Sequence, residues 1–329
     1  MLITFQRNPL VFHEGKRTAE MPSRRTVAAE IEVSWATNQN NTSAPAFDET
    51  IERWSASVVE DGSLEDDGFE IRTAPASGEK FTTQIREIGA ALAGVDADVS
   101  QKAGLHVHVG AYDFQWSHHL NLAWLWAYVE DAAFSIMPRS RRGNTYCAPR
   151  AGNISHYAGE PRELSSADRK TIFTAMIAGT SHYVGADWEY ASRKAYEAEK
   201  AKYSRAIANG IPYVRPSWKD CTVPKRAKDG SGTTPGGSRY YALNYQSVFA
   251  HGTIEFRLHS GTTNPDKIIP WAAWCASLVD LARKLDAKGV ADFIADHPDN
   301  TGWDAFLAIA PPQHRPYFEA RRALHGGRR

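Results

Sequence analysis

Leu105-His106-Val107-His108-Val109 and Ile254-Glu255-Phe256-Arg257-Leu258-His259 are the two stretches that decide the fold of this chain. Successive side chains on a β-strand point to opposite sides, so residues two apart share a face and lie about 6.5 to 7 Å from each other. The apolar residues of both stretches therefore face a core, while Glu255, Arg257 and His259 share the opposite face with the two histidines. This alternation predicts half-buried strands in a mostly antiparallel sheet.

The same alternation occurs twice nearer the N-terminus. Glu30-Ile31-Glu32-Val33 lies in a predicted strand over Val27–Val33, and Phe69-Glu70-Ile71-Arg72 lies in one over residues 68–73. For any one of these strands, a solvent-exposed polar face is the simpler interpretation. A solvated face usually mixes Thr, Lys, Ser and Gln, however, whereas the four polar faces hold almost only Glu, His and Arg. Together they favour a functional site.

Clustered carboxylates repel one another, and they stay ionised only where cations neutralise them. Carboxylates favour hard divalent ions such as Mg²⁺ or Mn²⁺, and one imidazole is compatible with either. Arginines beside such ions suit a metal-bound polyphosphate, where charge on transferring oxygens must be stabilised. The four faces therefore predict a site for a nucleotide with its metal.

Composition excludes several other classes. The 329 residues include 38 basic and 38 acidic side chains, so no overall charge attracts nucleic acid or anionic lipid. Three widely spaced cysteines argue against a disulfide framework and predict a cytoplasmic location. The N-terminus lacks a signal pattern, and the most apolar stretch, 120–137, is interrupted by Asn121, Glu130 and Asp131, so no membrane span is expected.

The pattern along the chain predicts three parts. Residues 1–138 form the first part of a catalytic sheet domain, with helices over 79–92 and from a Ser117 cap to Met137. Residues 139–239 form an insertion, with polar helices at 165–178 and 188–209 and a Pro- and Gly-rich stretch at 211–238. Residues 240–329 complete the domain, with strands over 240–249 and 253–259. A helix then begins at Asn264 and Pro265, with Pro270 marking its true start or a kink.

At this point the sequence resembles the amidoligases of the carboxylate-amine ligase group, relatives of glutamine synthetase and glutamate-cysteine ligase. Each matching motif is weak by itself, but the set is specific because it occurs in family order over residues 27–280. The motifs are Ala29-Glu30-Ile31-Glu32, Asp61-Gly62-Ser63-Leu64, Glu70-Ile71-Arg72-Thr73, the 104–109 and 253–262 segments, and Ser140-Arg141-Arg142 through Tyr146-Cys147. Ala28 and Ala29 stand where the family often has a glycine, and residues 151–238 have no counterpart.

The resemblance implies an α+β fold with a glutamine synthetase-like curved antiparallel β-sheet, packed helices and a helical and loop insertion. It also implies an ATP- and Mg²⁺-dependent (or Mn²⁺-dependent) ligase, in which a carboxylate becomes an acyl phosphate that an amine then attacks. Small molecules, peptide or protein groups and a modified nucleobase are all compatible substrates. The sequence indicates no particular oligomeric state.

The resemblance also assigns roles by matched position. The metal nearest the transferring phosphates would be held by Glu30, His106 and Glu255, and a second metal by Glu32 and Glu70. Arg257 would stabilise the developing phosphoryl charge, and Asp61 would serve the second metal or the incoming amine. Residues in or next to the site would include Arg72, His108 and His259. Arg141 and Arg142 are either phosphate or carboxylate ligands or a solvated cluster at a helix end.

Two other functions remain open from the residues alone. A metal-dependent hydrolase or oxygenase would use the His106/His108 pair, although the cupin-like pattern needs a Glu where this chain has Ala111 and Tyr112, and the zinc-protease spacing His-Glu-x-x-His is absent. A non-catalytic binding module on the same fold is the third possibility.

Overall fold

The computed structural model describes residues 20–36, 45–61, 64, 68–151, 159–165, 167–169, 172, 205 and 240–326. The strands of this part are β1 (Val27–Val33), β2 (Trp35–Ala36), β3 (Ser57–Glu60), β4 (Phe69–Arg72), β5 (Ala97–Asp98), β6 (Gly104–Gly110), β7 (Leu243–Asn244) and β8 (Thr253–Ser260). Six of them form one sheet in the order β3-β4-β1-β6-β8-β7, antiparallel throughout. β2 and β5 pair separately.

The helices of the described part are α1 (Pro45–Arg53), α2 (Gly78–Gly94), α3 (Trp116–Ser135), α4 (Gln246–His251), α5 (Pro265–Lys284), α6 (Ala287–Ala295), α7 (Trp303–Ile309) and α8 (Arg315–His325). Helices and an antiparallel sheet in one structure confirm the predicted α+β class. None of these helices combines the length and the apolar character needed to cross a membrane.

The main core lies between the apolar side of the sheet and the two longest helices, α3 and α5, which also pack against each other. Val107 and Phe256 are fully buried, and the ring of Trp126 on α3 lies edge-on to Phe256, with 5.7 Å between ring centroids. Trp271 and Trp274 of α5 stack in parallel 5.4 Å apart. Because the helices cover the apolar side, the alternating Glu, His and Arg side chains are left on the other side of the strands.

Several predicted elements match the structure closely. β1 has the predicted bounds, and β4 and β6 lie within one residue of theirs. The Asn264 side chain accepts a hydrogen bond from the N–H of Asp266 (2.8 Å), and Pro265 is the first helical residue of α5. Asn264 is therefore the predicted helix cap.

Three local predictions need correction. α3 begins before Ser117, at Trp116, because the Gln115 N–H donates to His118 Nδ1 (2.9 Å) and caps the helix there. α5 begins at Pro265 and runs through Pro270, so Pro270 is not its start, and the kink foreseen as the alternative stays a prediction. Finally, only Leu243–Asn244 of the predicted 240–249 strand is a strand, and the helix α4 follows it.

Gly252 explains why a short helix fits between β7 and β8. It has a φ of +68° at the end of α4, and its N–H donates to Val248 O (2.9 Å). A Cβ at this position would lie 1.8 Å from a ring carbon of Tyr112. Glycine therefore permits both the left-handed backbone and the close approach that end the helix and begin β8.

The predicted helix over 188–209 and the Pro- and Gly-rich stretch at 211–238 lie outside the described residues, apart from Arg205. The chain before these residues, at Ala148, lies against the chain after them, at Tyr240 and Ala242. The Ala148 N–H donates to Tyr240 O (2.8 Å), and the Ala242 N–H donates to Ala148 O (2.9 Å). The division into three parts stays a prediction.

A buried arginine joins the segment before β1 to the end of β6 and to α5. The Arg25 guanidinium donates to Gly110 O (2.8 Å), Asp113 Oδ1 (2.7 Å) and Asp280 Oδ1 (2.7 Å). Burial disfavours the ionised form of Asp113, but Arg25 outweighs burial and lowers the pKa of this carboxyl. The contribution of Asp113 to stability is therefore present above its ordinary pKa of 3.8 and is lost as pH falls through the lowered value.

We expect Arg25→Met to lower the free energy of unfolding by about 3 kcal/mol, because it leaves Asp113 largely buried without its closest cation. Urea unfolding monitored by circular dichroism measures the loss. Arg283→Met is the matched control: Arg283 Nε lies 3.2 Å from Asp113 Oδ2, but its side chain is 45% exposed. An exposed pair of this kind contributes less than about 1 kcal/mol. Equal losses in the two variants would contradict the prediction.

Candidate active site

The register of the central strands brings the predicted polar side chains together on one face. Glu30 of β1 lies opposite Arg72 of β4 on one side and opposite His106 of β6 on the other. His108 of β6 lies opposite Glu255 of β8. Residues directly opposite each other in an antiparallel pair share a face, so four strands contribute to one cluster.

His106 is at the centre of this cluster. Its Nδ1 lies 3.1 Å from Glu30 Oε2 and 3.8 Å from Glu255 Oε1, and its Nε2 lies 3.3 Å from Glu32 Oε1. The N–H of Gly104 donates to the other oxygen of Glu32 (2.6 Å). A Cβ on Gly104 would lie 3.1 Å from His106 Nε2, so a glycine lets the main chain approach the cluster closely.

His108 is fixed from both sides of its ring. Its Nδ1 lies 2.9 Å from Thr253 Oγ1 and 3.1 Å from Ser247 Oγ. Its Nε2 lies 3.3 Å from Glu30 Oε1. The ring is therefore held between two hydroxyl groups and the carboxylates.

Two arginines lie beside carboxylates on the same strand. Arg257 is in hydrogen-bond contact with Glu255, and Arg72 with Glu70. They differ in exposure, since the Arg72 side chain is 54% exposed and that of Arg257 is 11% exposed. Arg257 Nε also donates to the Tyr146 carbonyl oxygen (3.4 Å), which fixes the direction of the guanidinium.

The pKa values of the carboxyl groups reflect these neighbours. Burial disfavours the charged form of Glu30, but hydrogen bonding to His106 and His108 and their charge outweigh burial and hold its pKa well below the usual range. Burial also opposes ionisation of Glu255, yet its pKa is lowered by the histidines and Arg257. The pKa of Glu70 is raised, first by burial and then by the charge of Glu30, despite Arg72. A further cation beside Glu70 would therefore favour its ionised form.

Among the residues that the structure describes, three overlapping sets of side chains could hold a metal ion. In each of three sets, three ligand atoms lie within 4.8 Å of one another: Glu30, Glu70 and His106; Glu30, His108 and Glu255; and Glu32, Asp61 and Glu70. Seven of these nine positions are carboxylates, the ligand type that Mg²⁺ and Mn²⁺ prefer. The third set unites Asp61 with the pair predicted for a second metal. In the second set His108 accompanies Glu30 and Glu255, where the resemblance had assigned His106.

His259 does not join the cluster, which corrects the prediction that it shares a face with Glu255 and Arg257. Val107 pairs with Phe256, whereas Leu105 pairs with His259, so β8 contains one extra residue between these pairs. Such a β-bulge shifts the alternation by one. His259 is consequently 1% exposed on the helix side, 5.6 Å from the Trp271 ring and 3.3 Å from Tyr317 Oη.

Arg141 stabilises this bulge through hydrogen bonds to the main chain of β8. Its guanidinium is buried and donates to the carbonyl oxygens of Leu258 (3.1 Å) and Arg257 (2.6 Å). Arg142 donates to the carbonyl oxygens of Ser135 (3.0 Å) and His325 (2.7 Å). These contacts are to main-chain oxygens, and Arg141 is buried, so the two arginines are not a solvated cluster; anion binding by them stays a prediction.

Three polar residues for which the sequence predicted no role support the cluster. Asn244 Nδ2 donates to Glu255 Oε2 (2.7 Å), and Ser247 and Thr253 contact His108. Thr253 precedes Glu255 by two residues, so the strand alternation was a signal for it. Ser247 lies on α4, where a strand was predicted, and nothing in the sequence around it indicated a role in the site.

Most of the chain matches a known protein family. A family model described as "Putative amidoligase enzyme" matches residues 31–183 and 220–279, which include every carboxylate and histidine of the cluster except Glu30, one residue before the match begins. The match also covers 151–183 and 220–238, which corrects the prediction that residues 151–238 have no counterpart in the family. No curated protein matches the chain.

Proposed function

Since this chain belongs to the amidoligase family, we propose that it is an ATP-dependent carboxylate-amine ligase requiring Mg²⁺ or Mn²⁺. In the first step a substrate carboxylate oxygen attacks the γ-phosphorus of ATP, the bond to the β,γ-bridging oxygen breaks, and ADP leaves. In the second step an amine attacks the acyl carbon of the acyl phosphate, the carbon–oxygen bond to phosphate breaks, and the amine loses a proton. The products are an amide, ADP and inorganic phosphate.

One observation carries this proposal: carboxylates sufficient for more than one divalent cation converge with Arg257 and Arg72 on one face of the sheet. A polyphosphate needs this combination of hard cations and guanidinium groups. Bound at these sets, the cations would neutralise phosphate charge and polarise the γ-phosphoryl group. Glu30, His108 and Glu255 would hold the cation beside Arg257, and Glu32, Asp61 and Glu70 another.

The chain's own residues supply orientation and charge. Arg257 is held by Glu255 and the Tyr146 carbonyl, so its guanidinium needs little rearrangement to donate to the transferring phosphoryl oxygens. Arg72 is more exposed and lies next to Glu70, and we assign it the substrate carboxylate, which a guanidinium can bind bidentately. Asp61 lies near the same end of the cluster and is the candidate to accept the amine proton.

The arrangement of the histidines supports this proposal over a hydrolase or oxygenase. A two-histidine, one-carboxylate metal site needs both imidazoles on the same ion. In the described part of the chain, each set of candidate ligands that includes a histidine contains only one. The third possibility, a non-catalytic binding module, differs from the proposal in lacking ADP release.

We expect ADP release from ATP when Mg²⁺ or Mn²⁺ and a suitable carboxylate-amine pair are present, and none when EDTA removes the metal. The substrate pairs to screen are amino acids, peptides with free termini and modified nucleobases. Independently of substrate, Mg²⁺ with ATP should raise the melting temperature, because a ligand at 100 times its dissociation constant stabilises the native state by about 2.7 kcal/mol. Differential scanning fluorimetry measures this shift. ATP cleavage that persists in EDTA, or an unchanged melting temperature, would count against the proposal.

A further inference from the structure

We propose that Ser247 and Thr253 are positioning residues that keep the ring proton of His108 on Nδ1, so that Nε2 presents its lone pair to the cation shared with Glu30 and Glu255. This inference rests on the proposed function, which supplies the cation. It concerns two hydroxyl groups that take no part in the reaction itself.

The two ring nitrogens of His108 have different surroundings. Nδ1 lies 2.9 Å from Thr253 Oγ1 and 3.1 Å from Ser247 Oγ, and the two hydroxyl oxygens are 2.7 Å apart. Nε2 faces the opposite way, 3.3 Å from Glu30 Oε1. It is buried and makes no well-aligned hydrogen bond. A buried ring nitrogen aimed at two carboxylates without such a bond is what a metal ligand requires before its ion binds.

The chemistry of the hydroxyl pair explains the choice of residues. A neutral imidazole has one N–H and one lone pair, and a ligand nitrogen must be the one with the lone pair. An acceptor at the other nitrogen fixes the tautomer of metal-bound histidines in general. A hydroxyl can accept from Nδ1–H and still donate its own proton onward, here from one of the two hydroxyls to the other. The pair therefore satisfies the Nδ1–H donor and also the proton of the hydroxyl that accepts from it.

The local fold places both hydroxyls at the same point. Ser247 lies in the first turn of α4, Thr253 is the first residue of β8, and Gly252 makes the turn between them. Ser247 is 3% exposed. The same contacts would also suit a serine nucleophile activated by His108, but a hydroxyl this buried does not meet a substrate. Positioning of the ring is thus the role that the burial supports.

The test measures Mn²⁺ affinity by electron paramagnetic resonance and isothermal titration calorimetry, with no turnover involved. Ser247→Ala and Thr253→Val each remove one hydroxyl, and the double variant removes both. Because either hydroxyl can accept the proton, we expect the double variant to bind Mn²⁺ about 10- to 100-fold more weakly, and each single variant less so. Thr253→Ser keeps the hydroxyl and should retain the wild-type affinity. Thermal unfolding in EDTA checks that all variants are folded.

A second measurement reports the tautomer directly. In ¹⁵N-histidine spectra with Mg²⁺ present, the His108 signal, assigned by its loss in His108→Gln, should show Nδ1 protonated in the wild-type protein. The inference is overturned if Nε2 carries the proton, or if the folded double variant binds Mn²⁺ as tightly as the wild type. Tight Mn²⁺ binding that weakens in the double variant, without ADP release for any substrate, would support this inference while contradicting the proposed function. Absence of Mn²⁺ binding in the wild type would contradict both.

Discussion

Arg257→Ala is expected to slow ADP release by about 10³-fold or more while leaving the protein folded. A guanidinium that stabilises charge on a transferring phosphoryl group acts mainly in the transition state, so its loss lowers kcat rather than raising KM for ATP. A factor of 10³ corresponds to about 4 kcal/mol of transition-state stabilisation. Steady-state kinetics over a range of ATP concentrations separates the two parameters.

The surroundings of Arg257 indicate that the variant folds. Glu255 keeps its hydrogen bond from Asn244 (2.7 Å) and its proximity to His106 when the guanidinium is removed. Arg257→Lys retains the positive charge but loses the planar group that contacts both Glu255 and the Tyr146 carbonyl, so its rate should lie between those of the wild type and the alanine variant. A melting temperature within a few degrees of wild type is the condition for interpreting either rate.

The matched control for Arg257 is another arginine in an ion pair. Arg53 Nη1 lies 3.0 Å from Glu87 Oε2, with a side chain that is 59% exposed. Arg53→Ala should therefore leave kcat and the melting temperature close to wild type. If Arg257→Ala retained more than a tenth of the wild-type kcat, a role for this guanidinium in phosphoryl transfer would be wrong.

Strand alternation predicted most of the candidate site because the relevant strands have regular pairing. Glu30, Glu32 and Glu70 lie in β1 and β4, whose register is uninterrupted. In such strands the period of two is sufficient to assign a face. The antiparallel pairing of these strands also followed from their two-sided patterns.

The extra residue in β8 was the feature that alternation could not reveal. A bulge depends on tertiary contacts, here the donation of Arg141 to the Leu258 and Arg257 carbonyls, and those contacts join residues more than a hundred positions apart. The apolar and polar residues of β8 still alternate in sequence, so the pattern gave His259 the wrong face. Similarly, α4 was predicted as strand because a helix of six residues is too short to show its own period.

The hydrogen-bond acceptors of Arg141 and Arg142 could not be predicted from the sequence, for a different reason. Clustered arginines suit both anions and main-chain carbonyls, because the guanidinium donates to either acceptor. Which acceptor each one meets is decided by the turn at Arg139–Arg141 and by the helix α8, whose last residue, His325, accepts from Arg142. Composition alone does not contain that information.

Glu30→Gln should abolish ADP release, with a loss of about 10³-fold or more, because this carboxylate belongs to two of the three candidate cation sets. Its two oxygens face different imidazoles, Oε2 toward His106 (3.1 Å) and Oε1 toward His108 (3.3 Å). Glutamine keeps the shape but replaces one oxygen with an NH₂ group, which does not bind a cation. The expected result is a lower number of bound Mn²⁺ ions per chain together with the loss of turnover.

Stability distinguishes this effect from unfolding. Glu30 pairs with the histidines, but its charge also contributes to the raised pKa of Glu70 and partly opposes the lowering of the pKa of Glu255, so it repels both carboxylates. Because the low pKa of Glu30 shows that its pairing outweighs this repulsion, the melting temperature in EDTA should fall by a few degrees while unfolding stays cooperative, and the increase caused by Mg²⁺ with ATP should be lost. Glu20→Gln provides the control, since Glu20 is 44% exposed and pairs with Arg86 at the surface. Wild-type Mn²⁺ stoichiometry and turnover in Glu30→Gln would show that the cations bind elsewhere.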